Sequence, residues 1–116
     1  MDSIALGRKI HRLREEKGLT QMQLAESIHM SDRTISRIEI GKVQPKLSTL
    51  TAISRELKVS LDFLLSDETD ISKEMYIQEI AYRASKLDMR GVKHLLDYID
   101  LYGKTEAEYL ADNNTL

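Results

Sequence analysis

Cysteine is absent from this 116-residue chain, so neither a disulfide framework nor a thiolate metal site can form. Tryptophan is absent too, there is one phenylalanine, and one proline and five glycines lie far below the content of a linker or disordered protein. No apolar run approaches the ~20 residues that a membrane span needs, and the start Met1-Asp2-Ser3 lacks a secretory hydrophobic region. His11, His29 and His94 fall on three different segments without ligand spacing. Phosphate-cradling glycine loops are missing and the carboxylates are dispersed. These absences predict no enzyme, no metal and no cofactor, in a soluble cytoplasmic protein.

The chain does hold a modest core, at 41% hydrophobic residues, and an uneven charge. Residues 1–66 carry 11 Lys/Arg against 8 Asp/Glu, a net +3; residues 67–116 carry 6 against 11, a net −5. A basic half followed by an acidic half fits a polyanion partner for the first half only, although +3 over 66 residues is also ordinary surface charge.

Hydrophobic periodicity divides the first half into five short helices. Leu6, Ile10 and Leu13 share one face of a segment from Ile4 to Lys17, stopped by Gly18. Thr20 and Gln23 form a capping box at the start of a second helix that turns Leu24, Ala25 and Ile28 inward. Ser31 caps a third, Asp32 to about Ile40, with Ile35 and Ile38 inward and Gly41 ending it. Leu47, Leu50, Ile53 and Leu57 predict a fourth helix, and Ser60 with Leu61, Leu64 and Leu65 a fifth. A polar, acidic stretch at 67–70 reads as a linker. Beyond it, 71–87 and 89–102 predict two helices with 3-4-3 apolar seams, Asp88 capping the second and Gly103 ending it. Residues 103–116 read as a flexible tail.

The second and third helices carry the functional signal. Ala25 is small where the two would cross, and the outer face of the third helix is polar: Asp32, Arg33, Thr34, Ser36 and Arg37. A helix of that shape fits a B-DNA major groove about 12 Å wide. With Gly18-Leu19-Thr20-Gln21, Leu24-Ala25, Ser31, Thr34 to Glu39, Gly41-Lys42, Pro45 and Leu50 in register, the chain resembles the phage-repressor-like (Cro and lambda-repressor type, XRE) helix-turn-helix family. Ile53, Leu57, Val59-Ser60-Leu61 and Leu64-Leu65 extend the resemblance over about residues 4–66.

The resemblance implies an all-α chain: a five-helix lambda-repressor-like DNA-binding domain over 1–66, its motif at 21–40, followed by a C-terminal helical hairpin for dimerisation. It implies that Gln21 clamps a phosphate and buttresses the third helix. Arg33 or Arg37 contacts a base or a phosphate, and arginine can hold guanine O6 and N7 in a bidentate fork. Asp32 either accepts from cytosine N4 or serves as a first-turn acid. Ser31 is taken as a DNA contact, Thr34 and Ser36 as either contacts or exposed polar filler, and Lys42 and Lys46 flank a loop where phosphate is expected. Glu39 resembles the family's partner for a basic residue of the first helix, here Arg14, as a structural ion pair. Two departures are His29, where the family usually has glycine, and Ile40, where it usually has a polar residue.

A two-helix hairpin cannot bury both of its seams alone, so it must dock on the N-terminal domain or pair with another copy. Residues 71–102, with Ile77, Ile80, Ala84, Leu87, Val92, Leu95, Ile99 and Tyr102 as the interface, are read as a homodimerisation region. The expected function is a sequence-specific transcriptional regulator, a repressor that binds double-stranded DNA as a homodimer. The alternative is an antitoxin-type protein whose C-terminal helices bind a partner protein.

Overall fold

The computed structural model describes residues 2–67, 69 and 71–114, and among these there are seven helices and no strand. Residues through Ile80 form one compact unit and those from Ala81 onward a second.

In the first unit, helix boundaries follow local chemistry. Helix α1 (Ser3–Glu16) is capped by Asp2, whose carboxylate accepts from the amides of Ile4 at 3.0 Å and Ala5 at 3.2 Å. Gly18, at φ +72°, ends it. The Thr20–Gln23 capping box opens α2 (Gln21–Ser27), with both reciprocal bonds formed at 3.0 and 2.9 Å. Ser31 caps α3 (Asp32–Glu39), and Gly41, at φ +81°, closes it. Helix α4 spans Leu47–Leu57 and α5 Leu61–Leu65.

Ile10, Leu24, Ile35, Ile53, Leu57 and Val59 are completely buried, and this shared core holds the α2–α3 pair. Removing such a side chain from water contributes ~1.5–3 kcal/mol each. Leu47 departs from its expected place, at 65% exposure. Helical side chains lean toward the N-terminus, so the first residue of α4 reaches off the helix end instead of over the core.

Helix α5 has only five residues, too few to be stable by itself, and charged side chains from distant segments hold both its ends. At its N-terminus, Glu79 of α6 (Lys73–Ala84) accepts from the Ser60 amide at 3.1 Å and the Ser60 hydroxyl at 2.6 Å. At its C-terminus, the buried Lys9 ammonium donates to the carbonyls of Phe63 and Ser66 and lies 4.5 Å above the Phe63 ring. A carboxylate at the N-terminus and an ammonium at the C-terminus both suit the helix dipole.

Three expectations need correction. The first unit does not end before 67–70 but continues through Ile80, because Glu79 and the edge-on contact of Tyr76 with Phe63 join α6 to it. Residues 68 and 70 of the expected linker lie outside the described residues. Helix α6 stops at Ala84, not Leu87. Asp88 then caps the next helix, accepting from the Gly91 amide at 2.8 Å. That helix, α7 (Met89–Asn114), passes through Gly103 and takes in most of the expected tail, except 115 and 116, which lie outside the described residues. One interior glycine costs only ~1 kcal/mol against alanine, too little to stop a helix flanked by Leu, Lys, Glu and Ala.

Helix α1 crosses the end of α3 closely at Gly7. A Cβ there would lie 2.4 Å from the Ile38 carbonyl oxygen and 2.5 Å from that of Glu39. Gly7→Ala would strengthen an isolated helix, yet here it should destabilise the protein by roughly 2–3 kcal/mol, lowering the melting temperature by on the order of 10 °C. An unchanged or higher melting temperature would refute the crossing.

Candidate nucleic-acid interface

Helix α3 has two faces with different tasks. Its inner face buries Ile35 and Ile38, and its last residue, Glu39, buries a carboxylate that is 2% exposed. Arg14 of α1 donates from Nε to Glu39 Oε2 at 2.7 Å and from Nη2 to Oε1 at 3.0 Å. Its Nη1 donates to the Leu19 carbonyl at 2.7 Å, on the approach to α2. The Gln21 amide nitrogen donates to Glu39 Oε1 at 3.3 Å, and His11 Nδ1 lies 2.6 Å from the same oxygen. His11 Nε2 is 3.0 Å from Glu15. One carboxylate thus gathers side chains from α1 and α2 onto the end of α3. Burial would raise the Glu39 pKa, but hydrogen bonds from Arg14, His11 and Gln21 outweigh it and hold the carboxyl below its ordinary 4.5. The same bond to Glu39 raises the Arg14 pKa against the opposing effect of burial.

The structure brings together Arg14, Glu39 and Gln21, with the Gln21 amide nitrogen turned to Glu39. His11 joins them, a part that its place among the dispersed histidines did not suggest. It sits three residues before Arg14, one turn along α1, and that spacing was the available signal.

On the outer face, Asp32, Arg33 and Arg37 are exposed, and Thr34 and Ser36 are half-buried. Ser31 is occupied in capping: its Oγ accepts from the Thr34 amide at 3.1 Å and lies 2.8 Å from the Thr34 hydroxyl. Thr34, Arg37 and Lys46 line one open groove together with Gln44, Ser48 and Thr49. The last three carry no apolar period and escape a search for hydrophobic faces. Lys46 precedes α4, and among the described residues no side-chain cap hydrogen bond is made at the start of that helix. Lys42 is exposed beside the turn that closes α3.

His29 adopts φ +58°, the left-handed conformation expected at that turn, and the Met30 amide donates back to the Ala25 carbonyl at 2.8 Å. Lys58 takes the same φ after α4. Among the residues assigned to a dimer interface, Ile77, Ile80, Leu87, Ile99 and Tyr102 are exposed, while Ala84, Val92 and Leu95 are half-buried. No helix of the described residues is long and apolar enough to cross a membrane. Among those residues there is also no cluster of three His, Asp or Glu able to hold a metal ion.

A family model described as helix-turn-helix matches residues 10–64. The HTH-type transcriptional activator BcrR of Enterococcus faecalis is 34% identical over 114 residues, covering 93% of this chain and 55% of BcrR. The immunity repressor protein of Bacillus phage phi105 is 35% identical over 71 residues, covering 61% of this chain and 49% of the repressor. The chain spans about half the length of these two relatives. A chain of the solved SinR protein–SinI protein complex is 25% identical with a TM-score of 0.54, and the match covers 85% of this chain and 98% of that one.

Two measurements probe this geometry. Glu39→Ala leaves the Arg14 guanidinium buried without its partner and should cost about 3 kcal/mol at neutral pH. Because the folded-state pKa is depressed, the stability that Glu39 supplies is complete above the ordinary value of 4.5 and is lost as pH falls through the folded value. Denaturation curves of wild type and variant should therefore converge in acid; a constant gap across that range would contradict the pairing. His29→Gly and Lys58→Gly each relieve a left-handed non-glycine residue and should each raise stability by up to ~1 kcal/mol. Thermal melts of both variants check this, and a clear drop in melting temperature would contradict it.

Proposed function

This chain belongs to the helix-turn-helix family, and from that premise we propose that it is a sequence-specific transcriptional regulator that binds double-stranded DNA. It acts as a homodimer on a two-fold-symmetric operator, with α3 in the major groove, and as a repressor. The observation that carries the reading is the division of α3: a back fixed through Glu39 and a front that presents Arg33 and Arg37 to solvent. Those two arginines are assigned the base and phosphate contacts of the reading helix, with Asp32 as a first-turn acid beside them. Gln21, Ser31, Thr34, Ser36, Lys42 and Lys46 are assigned to positioning on the backbone. The uncapped start of α4 beside Lys46 supplies amide donors suited to phosphate.

The sign of regulation is a proposal in its own right, since BcrR is named an activator and the phage protein a repressor. A second reading, in which the C-terminal helices bind a partner protein, draws on the likeness to a chain of the SinR protein–SinI protein complex. Sedimentation of the purified chain separates the two: a homodimer favours the first, and a monomer that pairs with a stoichiometric partner favours the second.

Selection of bound DNA from a random pool tests recognition. Wild type should enrich a two-fold site with half-sites one helical turn apart, about 34–36 Å. Arg33→Ala and Arg37→Ala should separate the base reader from the phosphate contact. Loss of the reader relaxes one position and costs ~1–3 kcal/mol, whereas loss of a phosphate contact weakens all sites evenly and lowers the salt slope by about one. Enrichment of no sequence at all would defeat the proposal.

A further inference from the structure

We propose that His11 is a positioning residue for α3, acting as the imidazolium through Glu39, so that DNA binding weakens as the ring loses its proton. This rests on the proposed role of α3 as the DNA-reading helix and adds a residue of α1 to it.

The ring stands between two carboxylates from different helices. Its Nδ1 lies 2.6 Å from Glu39 Oε1, and its Nε2 lies 3.0 Å from Glu15 Oε1. Both neighbours are acceptors, so both ring nitrogens need a hydrogen, and only the imidazolium carries two. Arg14 Nη2 is 3.0 Å from Nδ1, but it is also 3.0 Å from Glu39 Oε1 and donates there. The charged groups against the ring are therefore Arg14 and Glu15 of its own helix and Glu39 of α3. Helix α2 reaches the cluster through the uncharged amide of Gln21, which bonds to Glu39. With the ring charged, two cations face two anions.

Loss of the proton upsets that balance in either neutral form. With the hydrogen on Nε2, the Nδ1 lone pair faces a carboxylate oxygen at 2.6 Å, a distance that only an intervening hydrogen permits. With the hydrogen on Nδ1, the bond to Glu39 survives but loses the charge on its donor, and the Nε2 lone pair faces Glu15. Either way Arg14 is left alone with two anions, and one of them, Glu39, is only 2% exposed. Arg33 and Arg37 stand on the far face of the same eight-residue helix, so a rotation permitted at Glu39 is carried to their tips. The ring itself is 47% exposed, so it answers to the pH of the solvent although the carboxylate it serves is buried. The protonated ring favours the seated helix. DNA affinity is therefore full in mild acid and declines as pH rises. Glu39, held below its ordinary 4.5, keeps its charge over that span.

The test is binding of the full-length chain to the strongest duplex recovered from a random pool, at fixed salt, from about pH 5 to 9. Wild-type affinity should fall roughly three- to tenfold across that range, while His11→Gln, which has no proton to lose, should vary by less than about twofold. His29 and His94 are present in both chains, so the difference belongs to His11. Glu15→Gln removes one of the two anions and should move the fall to lower pH. Parallel profiles for wild type and His11→Gln, or a Glu15→Gln profile that does not move, would overturn the proposal. A pool that yields no preferred duplex would instead defeat the underlying reading of α3. Thermal melts then decide on His11 by themselves: the gap in melting temperature between wild type and His11→Gln should be widest in mild acid and close as pH rises. A gap that does not vary with pH would overturn the role assigned to the imidazolium.

Discussion

Glu39 brings a charged carboxylate out of water at the point where three helices converge, and the orientation of α3 depends on how that charge is satisfied. An unpaired carboxylate there would cost several kcal/mol. Arg14 meets it in a two-bond fork, Gln21 adds an amide donor, and His11 closes on the same oxygen. Because the guanidinium also holds the Leu19 carbonyl, one side chain fixes both the approach to α2 and the end of α3. The apolar contacts of Ile35 and Ile38 supply the attraction but tolerate small rotations. The directional bonds to Glu39 are what select one rotation of an eight-residue helix.

The same device recurs on a smaller scale at α5. Five residues supply too few internal hydrogen bonds to stand alone, and the ends are satisfied from outside by Lys9 and Glu79. Both are formally surface-type residues, yet both are buried, and each replaces water at a helix terminus. The acidic character of the second half of the chain is therefore not all solvated surface: one of its carboxylates is structural.

Local chemistry was legible in the sequence wherever the partner lay within a few residues. The capping box of Thr20 and Gln23, the caps at Ser31, Ser60 and Asp88, and the glycine stops at 18 and 41 are of this kind. The left-handed turn at His29 was readable only by likeness to the family, since nothing in the residue itself demands that conformation. Long-range roles were hidden. Gly7 has no periodic signature, and its meaning appears only when the α3 carbonyls lie beside it. Lys9 and Glu79 look like solvated charges until α5 is set between them. Gly103 departs in the other direction, because its cost of ~1 kcal/mol is too small to stop a helix when neighbouring helix formers outvote it. The groove residues Gln44, Ser48 and Thr49 belong to a surface made by two helices, which no single-segment pattern encodes.

The crossing at Gly7 separates two kinds of change that the chain can accept. The rear of α3 is pressed onto the bare backbone of α1, so its height and tilt are set by atoms that no substitution on the outward face alters. Arg33 and Arg37 project from that face and help hold none of the core. New side chains at those two positions can thus be exchanged much as type is changed in a fixed press. The outward side chains can change over generations while the frame that holds them stays where it is.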